Sequence, residues 1–464
     1  MDLKYFIMSK QKNIFLPLAI SILLSVSCNS GTEKTETVKM PTFENPKEWS
    51  KNATIYEVNI RQYTPEGTIN AFAEHLPQLD SLGVDILWLM PIFPIGEENR
   101  KGGMGSAYSV KDYQAVNPDF GTLEDLQNLV SKAHKLGMHV ILDWIANHTA
   151  WDNPLANEHP DWFKKDSLGN FTPPVPDWAD VIHLDYDNKD MRAYMINSLK
   201  YWVTEADIDG FRCDVAMMVP TDFWEEARVE LDSIKPMFML AEADQPDHLV
   251  KAFDMNYGWE LHHIMNEIAK GEMGTQELDT YFHKNDSLYQ PDDIKMNFTS
   301  NHDENSWNGT VKERMGDAAE MMAVFSYMAP GMPLIYSGQE AGLDKRLAFF
   351  EKDTIHWIDS KWRELYTQLN QLKKSNKALW NGANGGRLNK IEVDAKTVYA
   401  FEREKEGDKV IAIFNMSSEA QQVSITSEIK PATLTNYFTK KKITLEKGSE
   451  LSLAPWSYLI LSNK

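Results

Sequence analysis

The feature that most constrains the fold is a series of short apolar segments separated by amphipathic stretches. Eight such segments occur along the chain, and several are near-continuous apolar runs, as in VDILWLMP. A strand that is buried on both faces has this composition, which is typical of a parallel sheet covered by helices. The predicted strands are 54–63, 84–91, 138–144, 210–216, 238–243, 252–257, 294–300 and 332–337.

Helical stretches lie between the predicted strands. Apolar residues recur every three or four positions, which predicts helices over 70–82, 123–136, 191–205, 221–233, 259–270 and 317–328. Eight β/α alternations favour the α/β class and a closed (β/α)₈ TIM barrel. An open, doubly wound sheet is the alternative, but no glycine-rich phosphate loop follows the first strand.

Two segments depart from a bare barrel. Within the predicted catalytic barrel, 50–380, a short insertion rich in Pro, Asp and Trp follows the third strand over about 148–189. A connection of that length is usually functional or forms a small subdomain. Over 381–464 short alternating runs such as TVYAFER and KVIAIFN replace the helical pattern, which predicts a C-terminal all-β sandwich domain.

The N-terminus resembles a bacterial lipoprotein signal peptide over 1–28. Lysines precede an apolar run, 14–26, that is too short to span a bilayer, and small Ser27 directly precedes Cys28, the predicted lipidation site. A cleaved secretory signal without a lipid is the alternative. The polar segment 29–49 is predicted to be a disordered tether. We therefore expect a lipid-anchored protein of the cell envelope, at the periplasmic face or the outer-membrane surface, or a secreted protein if Cys28 is not lipidated.

The charge of the chain narrows the choice of partner. Lys and Arg number 47 and Asp and Glu 68, so the net charge is 47 − 68 = −21. This acidity argues against nucleic acid or an anionic membrane surface as the main partner, and leaves the lipid as the membrane contact. Apart from Cys28 the only cysteine is Cys213, which we interpret as a packing residue, so no intramolecular disulfide forms after lipidation.

Charged side chains recur where the predicted strands end. Arg212 and Asp214 lie on one face of the fourth strand, because side chains alternate with a period of two. The third, fifth and seventh strands end with Asp143, Asn147 and His148, with Glu242, and with His302 and Asp303. Taken alone, Arg212 and Asp214 fit a structural ion pair equally well. A rim of acids beside an arginine at the carboxyl ends of barrel strands instead indicates an active site, in which Arg212 keeps Asp214 ionised and oriented.

At these motifs the chain resembles the α-amylase superfamily, glycoside hydrolase family 13, over about 50–464. DWIANH at 143–148, GFRCD at 210–214, the strand that carries Glu242 and SNHD at 300–303 match its four signatures in order. GVDILWLMPI at 83–92 and GMPLIYSGQE at 331–340 match two auxiliary ones, and AYSVKDY followed by NPDFGT matches a segment after the second strand. Each motif alone is weak, but the ordered set is specific.

The resemblance implies a retaining attack on an α-glucosidic bond, mainly α-1,4, in starch, maltodextrins or related α-glucans. By position, Asp214 would be the nucleophile and Glu242 the general acid/base, while Asp303 would hold sugar hydroxyls. One carboxylate must be ionised to attack and another must carry a proton for the leaving oxygen. The substrate-binding residues that the resemblance implies are Arg212, His148, His302 and Tyr108, with Asp143 as a structural partner of Arg212.

A structural calcium ion is a further expectation. Asn147 matches a calcium-binding asparagine of the superfamily, and Asp185 is a second oxygen ligand to consider. Loop hydrogen bonds explain both residues equally well. Many amylases carry Lys-His where this chain has Met217 and Met218, and that histidine usually helps to bind the ion. No organic cofactor is implied.

Three functions stay open on the sequence. The leading interpretation is an α-glucan hydrolase. A transglycosylase or isomerase of the same superfamily, such as trehalose synthase, would use the same residues and differ in water access. A non-catalytic glycan-binding lipoprotein is the third, but such proteins lose at least one carboxylate and this chain keeps all three. Four tryptophans of the top-face loops are either sugar platforms or packing residues: Trp151, Trp178, Trp259 and Trp307.

Overall fold

A computed structural model of the chain describes residues 44–464. The predicted signal peptide, Cys28 and residues 29–43 of the predicted tether lie outside these residues. The end of the tether is corrected, because Pro46–Trp49 is helical and Trp49 stacks on His139 with 3.8 Å between ring centroids. No helix in residues 44–464 is long and apolar enough to cross a membrane.

The eight predicted strands form a closed, parallel barrel. Each strand pairs with its neighbours in the chain, and the first pairs with both the second and the eighth. The TIM-barrel prediction is therefore confirmed. In order the barrel strands are Ile55–Val58, Ile86–Leu89, His139–Trp144, Gly210–Cys213, Phe238–Ala241, Met255–Tyr257, Ile294–Asn297 and Met332–Tyr336.

The barrel strands are apolar on both faces because they separate two cores. Ile86 and Trp88 point into the barrel interior, while Leu87 and Leu89 pack against the helices outside. The fourth strand starts at Gly210 for a steric reason. A Cβ atom there would lie 1.9 Å from the carbonyl oxygen of Phe238 on the fifth strand, so a side chain would push the two strands apart.

The helices cover the outside of the barrel. The structure corrects the predicted end of the first strand and the predicted first helix. The predicted first strand ends at Val58, and Ile60–Tyr63 is a helical turn. The predicted helix 70–82 is two helices, because Pro77 in the first turn of the second cannot donate a backbone hydrogen bond to a continuous helix. The longer helices are Ile69–Ala73, Leu76–Leu82, Leu123–Lys135, Lys189–Ala206, Thr221–Asp232, Trp259–Lys270, Thr275–Leu288, Val311–Met315, Ala319–Met328 and Lys361–Ser375.

The insertion after the third strand contains an antiparallel pair, His148–Ala150 with Val181–His183, and a short helix, Leu155–Glu158. Its first strand begins four residues after the third barrel strand ends. The insertion therefore starts at the rim where the polar residues gather, and it carries His148 directly from the barrel.

The C-terminal part is all-β, as predicted. A six-stranded antiparallel sheet and a two-stranded sheet share one apolar core. In sheet order the six strands are Asn389–Ile391, Val398–Lys405, Asp408–Asn415, Tyr458–Ser462, Ala432–Asn436 and Lys442–Leu445, and the other two are Gln421–Ser424 and Glu450–Leu453. Buried Arg403 joins this domain to the barrel by donating to the carbonyl oxygens of Met328 and Ala329, 3.1 Å away in each case.

Candidate active site

Arg212, on the fourth strand, is the centre of the polar rim. Its side chain is fully buried and contacts three carboxylates. Nη1 donates to Asp143 at 2.8 Å and to Asp214 at 2.9 Å. Nη2 lies 2.8 Å from Glu242 Oε2, although this pair is not aligned as a hydrogen bond. The structure thus brings together residues that were predicted from three separate strands.

The aromatic rings around Arg212 isolate it from water. Nε donates to the Tyr257 hydroxyl at 3.0 Å, and the guanidinium carbon lies 5.0 Å from the Trp88 ring centroid. Burial lowers the pKa of Arg212, but Asp143 and Glu242 raise it further, to well above its ordinary value. Arg212 therefore stays charged, and it holds the three carboxylates in fixed positions.

Asp214 and Glu242 follow the fourth and fifth strands directly. The Asp214 backbone N–H donates to the Trp144 carbonyl at 2.9 Å, which continues the strand pairing to the rim. The next residue, Val215, has φ = 35°, a left-handed conformation that is rare for a β-branched residue. In this conformation its N–H donates to Glu242 Oε2 at 2.8 Å. The backbone after Asp214 therefore orients Glu242.

The charge state of Asp214 departs in part from the expectation. Burial raises the pKa of Asp214 well above its ordinary value, and the charge of Arg212 opposes that rise. Arg212 thus acts on the Asp214 pKa in the predicted direction, but burial and the neighbouring acids Glu242 and Asp143 act against it. A sugar with a developing positive charge would favour the ionised form further.

Asp143 is a buried acceptor at the base of the rim. Besides Arg212, it accepts from Trp88 Nε1 and from the Tyr108 hydroxyl, each at 3.1 Å. No surface of Asp143 is exposed. Hydrogen-bond donors therefore surround the buried Asp143 carboxylate. This arrangement agrees with a structural role for Asp143 as the partner of Arg212.

His302 and Asp303 lie in the segment that follows the seventh strand, which ends at Asn297. His302 Nε2 is 2.8 Å from the Tyr108 hydroxyl and 3.4 Å from Asp303 Oδ2, and the Tyr108 ring stacks on the imidazole. Asp303 is the most open of the predicted carboxylates, with 37% of its side chain exposed. The indole N–H of Trp307 donates to its other oxygen at 3.2 Å. Asp303 is therefore oriented and still accessible to a ligand.

His148 lies on the other side of the rim. Nε2 is 4.0 Å from Asp214 Oδ2, and Trp178 packs beside the ring. Burial, with a smaller contribution from His183, lowers the pKa of His148 to about 3. His148 is therefore neutral near pH 7 and can donate or accept one hydrogen bond.

Three of the four tryptophans pack against the fold, and one is exposed beside Asp303. Trp178 packs beside His148. Trp151 donates to the Ala179 carbonyl and Trp259 packs on Tyr257, so both are tied into the fold. Trp307 is 51% exposed beside Asp303, which makes it the best placed of the four to contact a sugar.

Met217 and Met218 are also exposed, so this edge of the site is apolar where Lys-His would be polar.

The predicted calcium ligands are neighbours, because the N–H of Leu184 donates to the Asn147 carbonyl. Asn147 Oδ1 is buried and has no hydrogen-bond partner within residues 44–464, which suits a metal ligand. Asp185 Oδ1 accepts from the Asp187 N–H at 3.2 Å. In that part of the chain no group of three or more His, Cys, Asp or Glu side chains is arranged to hold a metal. The residues fit calcium only if main-chain oxygens and water complete the ligand set.

Glu57 of the first strand belongs to the site but is not among the predicted site residues. Its carboxylate is completely buried, and Oε1 lies 2.5 Å from His302 Nδ1. The signal was present, because a glutamate interrupts the apolar run TIYEVNI much as Arg212 interrupts its own strand. It was missed because Glu57 lies in the middle of the predicted strand and belongs to none of the quoted motifs.

Family models and individual known proteins both match this chain over most of its length. The family model "Alpha amylase, catalytic domain" matches residues 29–179 and 176–378, and "Maltogenic Amylase, C-terminal domain" matches 388–460. Alpha-amylase MalA of Haloarcula japonica is 27% identical over 398 residues, which cover 81% of this chain and 57% of that protein. Alpha-amylase 3 of Dictyoglomus thermophilum is 24% identical over 485 residues, covering 89% of this chain and 93% of that one.

Solved structures agree with these matches. A maltogenic alpha-amylase from Thermotoga neapolitana superposes with a TM-score of 0.82 at 31% identity, covering 89% of this chain and 98% of that one. An alpha-amylase from Lactobacillus plantarum superposes with a TM-score of 0.79 at 31% identity and the same coverage. The similarity thus extends over the barrel and the C-terminal domain together.

The arrangement around Arg212 leads to a prediction about stability. Arg212→Met leaves three buried carboxylates without their cation, so we expect it to lower the free energy of unfolding by about 3–5 kcal/mol at pH 8. The loss should be smaller at pH 5, because the uncompensated carboxylates of the folded variant can then bind protons. Urea unfolding at both pH values measures this difference. Arg192→Met is the control, since Arg192 also contacts two carboxylates, Asp222 and Glu226, but at the surface. An equal loss for Arg212→Met at pH 5 and pH 8 would show that the three carboxylates do not depend on the charge of Arg212.

Proposed function

Because the chain belongs to the alpha-amylase family of glycoside hydrolases, we propose that it hydrolyses α-glucosidic bonds, mainly α-1,4, in starch, maltodextrins or related α-glucans. Asp214 is the proposed nucleophile, Glu242 the general acid/base, and Asp303 the carboxylate that holds sugar hydroxyls. The observation that carries the proposal is the contact of one guanidinium, Arg212, with both Asp214 and Glu242.

That contact bears on the stereochemistry of the reaction. A carboxylate pair that shares one guanidinium must be close together. Retaining glycosidases need a separation of about 5–5.5 Å, whereas inverting enzymes leave room for a water molecule between the acids, at about 6.5–9.5 Å. The shared contact supports retention through a glycosyl-enzyme on Asp214. Glu242 first gives its proton to the leaving oxygen and later accepts one from the attacking water.

The surrounding residues fit a neutral, hydroxyl-rich ligand. His148 is neutral and faces Asp214, while Asp303 presents an accessible carboxylate. Exposed Trp307 offers a flat ring beside them. We propose that His148, His302 and Tyr108 bind the sugar at the cleavage point, and that the Trp307 ring packs against the glucan chain.

We predict different kinetic defects for the two reacting carboxylates. Asp214→Asn and Glu242→Gln should each lower kcat on maltodextrin at least about a thousandfold, because the two residues act as one unit. On an α-maltosyl fluoride, whose leaving group needs little protonation, Glu242→Gln should still form the glycosyl-enzyme and Asp214→Asn should not. Mass spectrometry of the Glu242→Gln protein should find the sugar on the peptide that carries Asp214.

The control for these variants is Asp222→Asn, an exposed carboxylate on the helix after the fourth strand, which should keep normal activity. Near-normal turnover in Asp214→Asn, or a sugar bound to another carboxylate, would overturn the assignment. Products formed from maltotriose and from maltose separate hydrolysis from transfer. Glucose and maltose indicate hydrolysis, and longer oligosaccharides or an isomer of maltose indicate a transferase or isomerase.

We also propose that the protein is anchored in the cell envelope through a lipid on Cys28, since a small residue directly precedes it after an apolar run. Cys28→Ser should move the protein from the membrane fraction to the soluble fraction without changing its activity on maltodextrin. Cell fractionation and mass spectrometry of the N-terminal peptide measure the change. Membrane association of the serine variant would contradict the anchor.

We also propose that a structural calcium ion binds to this protein. When bound, the ion would stabilise the base of the insertion through Asn147 Oδ1 and Asp185, with no step of the reaction depending on it. Chelation should lower the melting temperature by several degrees, because a ligand that binds only the native state stabilises it. Added calcium should restore the value, and Asn147→Ala should abolish the response. An unchanged melting temperature, with no metal found by elemental analysis, would refute the proposal.

A further inference from the structure

The imidazole of His302 is contacted at both nitrogens. Nδ1 lies 2.5 Å from Glu57 Oε1, on the side of the barrel interior. Nε2 lies 2.8 Å from the Tyr108 hydroxyl and 3.4 Å from Asp303 Oδ2, on the side of the site. Both sides of the ring therefore present a carboxylate, and neither carboxylate can donate when it is ionised.

The hydrogens of this group can be counted. The Tyr108 hydroxyl has one hydrogen and two acceptors within reach, Asp143 Oδ2 at 3.1 Å and His302 Nε2 at 2.8 Å. The Asp143 carboxylate is the stronger acceptor when ionised, so we assign the hydrogen to it. Its short contact with His302 Nε2 then requires a hydrogen on that nitrogen. Ionised Glu57 requires a second hydrogen on Nδ1. With the Tyr108 hydrogen on Asp143 and with Glu57 ionised, only the imidazolium, the positively charged form, carries both.

We propose that Glu57 is a positioning residue that holds His302 as an imidazolium, so that a charged N–H donor stands beside Asp303 at the sugar-binding end of the site. The proposal rests on the proposed glycosidase function for its kinetic consequences, but the charge state of His302 does not depend on it. A charged donor forms a stronger hydrogen bond than a neutral one. The same positive charge attracts the Asp303 carboxylate, 3.4 Å from Nε2, which is the group proposed to hold the sugar hydroxyls.

The groups that face His302 support this charge state. Burial lowers the pKa of His302, and Asp303 and Glu57 raise it more, to about 9. The charge of Arg212, across the barrel, acts in the lowering direction. Burial also raises the pKa of Glu57, while His302 and Arg212 lower it, so the competing arrangement has the proton on Glu57 and a neutral imidazole. We favour the ion pair, because its imidazolium donates to Glu57 on one side and lies 3.4 Å from the Asp303 carboxylate on the other.

In residues 44–464 the Glu57 carboxylate has no hydrogen-bond partner other than His302. Its second oxygen, Oε2, is buried without a hydrogen-bond partner there. A carboxylate that served only to fill the barrel would be replaced at lower cost by an apolar residue of similar size. The charge of Glu57 is therefore the property that His302 requires.

The first experiment measures the charge of His302 directly. The protein is labelled with ¹⁵N-histidine, and the signals of His302 among the 12 histidines are assigned by their loss in His302→Gln. In the unmodified protein both ring nitrogens should show the shifts of an imidazolium at pH 7 and titrate near pH 9. In Glu57→Gln the His302 signals should titrate at least about two pH units lower, near the ordinary value of about 6.5. Neutral His302 at pH 7 in the unmodified protein would overturn the proposal, whether or not Glu57→Gln folds and whether or not the protein cleaves glucans.

The second experiment measures the consequence for catalysis. A group with a raised pKa is protonated at low pH and loses its proton as the pH rises through that pKa. Glu57→Gln should therefore have a kcat within about threefold of the unmodified protein at pH 5.5, and at least about tenfold lower at pH 8, because the donor beside Asp303 has lost its charge. A kcat ratio that is the same at both pH values would show that the His302 charge does not serve catalysis, and would overturn the positioning role.

A matched control is available on the same side of the barrel. Glu340 is also buried, and it accepts a hydrogen bond from Tyr56 of the first strand at 2.5 Å without contacting His302. Glu340→Gln thus removes a buried carboxylate near Glu57 and leaves the His302 contacts intact. Its kcat ratio to the unmodified protein should not change with pH, and its His302 signals should titrate as in the unmodified protein. A shift of the His302 titration in Glu340→Gln equal to that in Glu57→Gln would assign the effect to barrel packing and overturn the role of Glu57.

Discussion

The buried guanidinium of Arg212 is the interaction on which the site depends. Three carboxylates meet around it in an interior lined by Trp88 and Tyr257, and without a cation their mutual repulsion and desolvation would cost several kcal/mol. One planar group that contacts acids from three strands also fixes their relative positions. The same contact therefore makes the charges tolerable and places the two proposed reacting groups side by side. Arg212 thus supplies both the compensating charge and the fixed arrangement of the carboxylates. A lysine, with a single ammonium group, could not supply both.

The barrel provides what Arg212 needs. Parallel strands end at the same rim, so residues far apart in the sequence meet without long loops. The pairing of the first strand with the eighth brings Glu57 next to His302, which is 245 residues away in the chain. Gly210 lets the fourth and fifth strands approach closely, and this approach brings the ends that carry Asp214 and Glu242 together. The strained backbone at Val215 then turns an N–H toward Glu242.

Much of this could be predicted from the sequence, and the failures have physical causes. The strands were identifiable because burial on both faces leaves near-continuous apolar runs, and the rim because charged residues end those runs. The predicted first strand is too long because Ile60–Tyr63 is buried, and periodicity does not separate a short buried turn from a strand. Glu57 looked like a strand residue with no assigned partner, since closure of the barrel, and not local sequence, decides what it faces. The conformation of Val215 had no local signal, because valine disfavours it and the surrounding structure imposes it.

The charges of the whole site favour one kind of reaction. Five carboxylates surround it, Asp143, Asp214, Glu242, Asp303 and Glu57, against two cations, Arg212 and protonated His302, so the balance is −5 + 2 = −3 before any acid takes up a proton. Protonation of one acid for the leaving oxygen reduces this to −2. A residual negative field in a buried pocket would repel an anionic substrate, but it stabilises a sugar that becomes cationic as its glycosidic bond breaks. The His302 cation is then placed at the edge, on Asp303 and the sugar hydroxyls, where it orients the substrate without opposing the positive charge that develops beside Asp214.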